Sequence, residues 1–100
     1  MLYDKMSGVP ERRGASASEV EGRLLAHFPG AELELVDETH LHAGHVGAQG
    51  GASHFRLKIR HPCFSDLKRL ERHRLVYHAV NDWMPARIHA LSVVALSPEE

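Results

Sequence analysis

Apolar residues recur every four positions at Val20, Leu24 and Phe28, which predicts a helix with one apolar face. Ser18 with Glu21, or Ser16 with Glu19, has the spacing of a capping box at its start. Pro29-Gly30 ends it. The period then shortens to two. Glu32-Leu33-Glu34-Leu35 alternates as a half-buried strand does. From His54 to Arg60 the alternation returns, with Phe55, Leu57 and Ile59 on one face and Arg56, Lys58 and Arg60 on the other. His61-Pro62 breaks that strand. A second helical pattern runs from about Ser65 to Trp83, with Ser65 or Asp66 near its N-cap. Its apolar stripe is Leu67, Leu70, Tyr77, Val80 and Met84, interrupted at His73 and Arg74, and Pro85 closes it. Ile88 to Leu96 is apolar on both faces, which predicts a central or well-covered strand.

The order α-β-β-α-β predicts an α+β fold, a three-stranded mixed sheet packed with helices. The first two strands should be antiparallel neighbours. The third follows a helical crossover and should run parallel to the second with right-handed connectivity. Residues 1–15 mix both charge signs without an apolar block and are expected to be a disordered N-terminal tail, leaving 16–98 as the single domain.

One segment does not fit a compact hairpin. About fifteen positions from Glu38 to Ala52, rich in Gly and His, separate the first two strands, whereas hairpin loops usually have ~2–5 residues. A connection this long is functional or disordered, and it carries His40, His42 and His45. Nine histidines in 100 residues, several of them in this segment, make imidazole the chemistry to weigh first.

Composition narrows the class. The apolar share of 43% and charged share of 25% are those of a globular chain. Cys63 is the only cysteine, so there is no internal disulfide, and the chain suits a reducing, cytoplasmic setting. Its apolar neighbours Pro62 and Phe64 predict a buried, unreactive thiol. No apolar run approaches the ~20 residues of a membrane span. No nucleophile elbow, phosphate-binding glycine loop or acid–base carboxylate pair appears, which argues against an enzyme.

The fragments Val36-Asp37-Glu38-Thr39, His42-Ala43-Gly44-His45, Ser53-His54-Phe55, Phe64, Arg72-His73-Arg74-Leu75-Val76-Tyr77 and Ile88-His89-Ala90-Leu91-Ser92 occur in this order over residues 18–98. Together they resemble the BolA family. The resemblance implies a fold similar to a class II KH domain and a partnership with monothiol glutaredoxins. It implies a chain that is a monomer alone and a heterodimer with its partner, sharing a 2Fe-2S cluster in iron–sulfur cluster trafficking or iron-linked regulation. In such a pair the glutaredoxin contributes a cysteine and bound glutathione. The BolA-like chain contributes the histidine of the His-Ala-Leu motif, here His89, and a histidine or cysteine from the loop between the first two strands. This loop has no cysteine, so the chain is similar to the histidine-type branch. His45 is the first choice and His42 the alternative. No metal is expected in the isolated chain, because two histidines leave a cluster mostly unligated. The family often has Gly two residues after the phenylalanine that is here Phe64, where this chain has Asp66, and the approach His61-Pro62-Cys63 is also unusual.

Read without the family, His89 is a strand-edge histidine bonded to backbone, His54 is structural, and His73 satisfies a polar contact. The alternative function is a DNA-binding transcriptional regulator. Residues 54–90 carry eight Lys/Arg against three Asp/Glu, a local balance of +5, and Lys68, Arg69, Arg72, Arg74 and Arg87 are the candidate contacts. Against it, Glu32 and Glu34 are placed to pair with the basic face of the neighbouring strand. The Gly44–Gly47 and Gly47–Gly50 spacings lie between strands, not between helices as in KH domains.

Overall fold

The computed structural model describes residues 14–42 and 52–100. Their order is α1 (Ala17–His27), β1 (Glu32–Asp37), β2 (Ser53–Arg60), α2 (Arg69–Val80) and β3 (Ile88–Leu96), with short 3-10 turns at Thr39–His42, Pro62–Phe64 and Asn81–Trp83. The sheet order is β1-β2-β3, with β1 antiparallel and β3 parallel to β2. This is the α+β mixed sheet that the hydrophobic pattern predicts.

The capping box of α1 is Ser16 with Glu19: Ser16 Oγ accepts from Glu19 N–H at 3.1 Å and Glu19 Oε1 accepts from Ser16 N–H at 2.9 Å. Val20, Leu24 and Phe28 are buried, as their spacing requires. They meet Phe55, Leu57 and Ile59 of β2 and Leu91, Val93 and Ala95 of β3 in one core, where Leu57 and Ile59 are fully buried. Complete burial of such a side chain contributes ~1.5–3 kcal/mol. Phe64 closes one end of this core, 5.4 Å ring-to-ring from Phe28. His61 explains the unusual approach to Phe64. Its Nδ1 accepts the Cys63 N–H at 3.0 Å and its Nε2 lies 2.9 Å from the Pro29 carbonyl, so the neutral ring with hydrogen on Nε2 ties two turns together.

The opposite sheet face carries the alternate residues. Glu32 and Arg60 are register partners and form an ion pair at 3.1 Å, and Glu34 and Lys58 do so at 3.7 Å. Arg56 reaches Glu38 at 2.7 Å. Much of the basic excess in the sequence is therefore neutralised across the β1–β2 pair.

Several expectations are corrected. β3 is an edge strand, not a central one, and Val94 on its outward face is 50% exposed. Its outer backbone edge is met by α2. Leu96 O accepts from His61 N–H on the β2 side, so by strand alternation the Leu91 and Ala95 carbonyls lie at the outer edge. The Tyr77 hydroxyl donates to the first and the Arg72 guanidinium to the second, at 2.9 Å. Both side chains blunt an edge that would otherwise offer unpaired carbonyls. α2 begins later than its pattern predicts, with Lys68 as N-cap and Glu71 Oε1 accepting the Lys68 N–H at 2.8 Å. Its buried residues are Val76, Ala79 and Val80, whereas Leu70 is 59% exposed. Asp66 lies in the preceding turn at φ 67°, the left-handed region that glycine favours. Packing at both ends of the chain involves residues next to the expected limits 16 and 98. Ala15 is buried, its N–H donates to Arg87 O at 3.1 Å and its carbonyl accepts from Ser53 Oγ at 2.7 Å. At the other end Glu100 is tied to Arg72. Most of the tail, residues 1–13, lies outside the described residues.

Candidate functional site

The exit of β1, the start of β2 and the start of β3 meet at one end of the sheet. His89 is there, on a β-bulge. Ser53 pairs with Ile88 and His54 with Ala90, so β3 advances two residues where β2 advances one, and His89 is the extra residue. The consequence follows from parity. Leu91, Val93 and Ala95 face the core, and strict alternation would send His89 inward with them and Ile88 outward. The bulge reverses both: Ile88 is fully buried and His89 is exposed.

His54 is beside it. By alternation with Phe55 it belongs to the outward face of β2, yet it is only 5% exposed. Its ring centroid is 5.2 Å from that of His89, with the planes tilted by 45°. The His54 backbone is held at both groups: its N–H donates to Thr39 Oγ at 3.1 Å, and its carbonyl accepts from Glu38 N–H at 2.8 Å. Thr39 is fixed in turn by Asp37, whose Oδ1 accepts from Thr39 Oγ at 2.5 Å and from Thr39 N–H at 2.9 Å. The motif Asp37-Glu38-Thr39 is thus a clamp that fastens the turn after β1 onto His54. His42 is the last residue of that 3-10 turn. His45, the first choice of loop ligand, lies outside the described residues, and so does the side chain of His42.

Imidazole nitrogen suits iron and zinc, and an exposed imidazole on a hydrogen-bonded strand end is a competent ligand. The described residues contain no group of three or more His, Cys, Asp or Glu able to hold a metal ion. A metal at His89 would therefore need donors from the 43–51 segment or from another molecule.

The other candidates are not part of the His54–His89 pair. His40 is exposed on the 3-10 turn. His73 is half-buried on α2, edge-on to Tyr77 at 6.4 Å. Cys63 is exposed rather than buried, and partial screening of its sulfur pushes the thiol pKa up, away from reactivity. Of the five basic candidates, two belong to the architecture. Arg72 has a 13% exposed side chain bonded to Leu67 O, Ala95 O and Glu100. Arg87 pairs with Glu19 at 2.9 Å and lies 5.1 Å from the Trp83 ring centre. Lys68, Arg69 and Arg74 remain exposed. No helix among the described residues is long and apolar enough to cross a membrane.

These features define a small α+β domain with helices on one sheet face and a histidine pair at the sheet end. A family model described as BolA-like protein matches residues 24–100, and the chain belongs to that family. It is 36% identical over 97 residues to chloroplastic BOLA1 of Arabidopsis thaliana, covering 94% of this chain and 59% of that protein. The solved structure of Arabidopsis BolA1 superposes with a TM-score of 0.71 at 34% identity, over 85% of this chain and 94% of that one. The BolA domain of Arabidopsis SufE1 gives 0.74 at 34% identity, over 86% and 95%. The chain spans only a quarter of the full SufE-like protein 1. A Haemophilus influenzae relative called DNA-binding transcriptional regulator BolA is 30% identical over 81 residues, 81% of this chain and 76% of that protein.

Proposed function

We propose that this protein is an adaptor that binds a monothiol glutaredoxin and co-ligates a 2Fe-2S cluster carried between the two chains, in cluster trafficking or iron-linked regulation. His89 supplies one imidazole and His45, with His42 as the alternative, supplies the other. The observation that carries this reading is the bulge, which turns His89 out of the core at the sheet end where the long histidine-bearing loop departs. Histidine in place of thiolate on one iron raises a cluster's potential, which suits exchange of the cargo. The partner contributes a cysteine and glutathione, consistent with a donor set that is incomplete among the described residues of this chain.

The test is anaerobic reconstitution with a monothiol glutaredoxin, glutathione, iron and sulfide, read by visible absorption and size-exclusion chromatography. The expected product is a heterodimer whose iron–sulfur spectrum differs from that of the glutaredoxin homodimer. His89→Ala should abolish it and His45→Ala weaken it. An unchanged spectrum in His89→Ala would overturn the assignment, and a loss on His42→Ala instead would move the loop ligand there. The second reading, DNA binding, is favoured by the exposure of Lys68, Arg69 and Arg74 and by the name of the Haemophilus relative. It predicts affinity that falls steeply with salt and drops on substitution of Arg69.

A further inference from the structure

We propose that His54 is a positioning residue for His89, acting through ring contact and carrying the placement of the β1 exit turn to the exposed imidazole. The inference rests on the ligand role given above to His89, but its first test does not require a cluster.

The reason begins with the bulge. A residue in regular pleat has its side-chain direction set by the ladder, but the extra residue of a bulge has no register partner and its direction depends on what it touches. His89 has no partner residue on β2, since Ser53 takes Ile88 and His54 takes Ala90. The neighbour it does have is the His54 ring, 5.2 Å away and tilted by 45°, within the range of specific aromatic contact. That ring is itself fixed. His54 is 5% exposed although it continues the outward series of Arg56, Lys58 and Arg60, and its backbone is bonded through both N–H and carbonyl to Thr39 and Glu38. A freely exposed ring beside His89 would fix nothing, whereas a buried one on a hydrogen-bonded backbone leaves the exposed imidazole fewer rotamers. The same clamp sets the start of the turn that ends at His42. One buried ring therefore relates the strand-borne ligand to the base of the loop that carries the other candidate. Losing less rotamer freedom on binding favours the bound geometry, since immobilising a mobile side chain opposes association.

Three variants separate ring contact from volume and from nitrogen chemistry. His54→Phe keeps a buried ring without nitrogens. His54→Ala removes the ring. His54→Leu fills the space without an aromatic face and takes the place of the alanine variant if that one loses its fold. The first readout is the χ1 distribution of His89, from three-bond couplings in the isotopically labelled apo-protein. We expect one dominant rotamer in the parent and in His54→Phe, and averaging over rotamers in His54→Ala and His54→Leu. Averaging in the parent, an unchanged His89 in both ring-less variants, or loss of the rotamer in His54→Phe would each overturn the proposal. The second readout is the visible circular dichroism of the glutaredoxin complex, expected to change in His54→Leu and to return to the parent form in His54→Phe. If the parent forms no cluster complex, the function reading fails while the rotamer result still decides the role of His54.

Discussion

The clamp below His54 can be tested through Thr39. Replacing Thr39 by Val keeps the shape and removes the hydroxyl that accepts from His54 N–H at 3.1 Å and donates to Asp37 at 2.5 Å. The two lost bonds are not equal. His54 is 5% exposed, so its N–H loses its acceptor in a place where water is scarce, and an unsatisfied buried donor costs ~1–3 kcal/mol. Asp37 is exposed and keeps the Thr39 N–H, so water replaces the hydroxyl there at little cost. Because the His54–Thr39 bond is only partly buried, the lower half of the range applies, about 1–2 kcal/mol. For a domain of this size each kcal/mol moves Tm by about 4–8 °C, so Thr39→Val should melt roughly 4–16 °C lower. Thr39→Ser retains the hydroxyl and should stay close to the parent. Urea unfolding gives the free energy, and native-state hydrogen exchange should show the His54 amide losing protection in the valine variant and keeping it in the serine one. A valine variant within about 0.5 kcal/mol of the parent, the range of an uninvolved surface change, would refute the clamp. So would a His54 amide that stays equally protected.

Two further outcomes follow from single residues. Asp66 at φ 67° is in a region that costs an L-residue ~1–2 kcal/mol, least for Asp and Asn, so Asp66→Val should destabilise by about 1–2 kcal/mol in urea unfolding while Asp66→Gly is tolerated. The Glu100 carboxyl is lowered to about 2 by the Ser97 N–H and then by Arg72. Its folded value lies below the ordinary 4.5, so its contribution is present above pH 4.5 and is lost as pH falls toward 2. Glu100→Gln should flatten that part of the stability–pH curve, and an unchanged acid limb would show the contact to be absent in solution.

The parts of the fold legible in the sequence are those where one local rule decides the outcome. β1 and β2 each have one face toward the core and one toward water, so strict alternation in Glu32–Leu35 and Phe55–Arg60 fixed both face and pairing charge. The helix α1 was readable for the same reason, with Val20, Leu24 and Phe28 on a single buried line. α2 was not. Its buried residues Val76, Ala79 and Val80 cluster in its last turns, while Leu70 points to solvent and Leu67 precedes the helix. Polar side chains such as Arg72 and Tyr77 do structural work there by capping β3 carbonyls, and a count of apolar positions misses them. The edge position of β3 was hidden because Val94, exposed on the open sheet face, reads as a core residue. The proposed ligand role of His89 comes from family resemblance, and its place on a bulge comes from the structure. Its neighbour His54 reads as structural in the sequence, and its burial and its ring contact with His89 are visible only in the structure.

The bulge itself could not have been read from β3 alone, because it exists only as a mismatch between two strands. Ile88-His89-Ala90-Leu91 contains an apolar residue and an imidazole side by side, and either register of alternation leaves at least one residue misplaced. If the ladder ran without interruption from Leu96 back to Ile88, the imidazole would enter the core and the isoleucine would enter water. One added residue resolves the conflict. Ile88 packs fully buried against the core and anchors the strand start, while Ser53 N–H and Ala15 N–H both donate to Arg87 O just ahead of it. The backbone on either side of His89 is thus hydrogen-bonded and packed, and the irregularity is confined to the residue that faces out. Such an arrangement suits a ligand better than a loop position would, since a side chain presented from a paired strand is held more closely than one on a mobile connection. The irregular pairing falls at His89, the exposed imidazole proposed as a ligand.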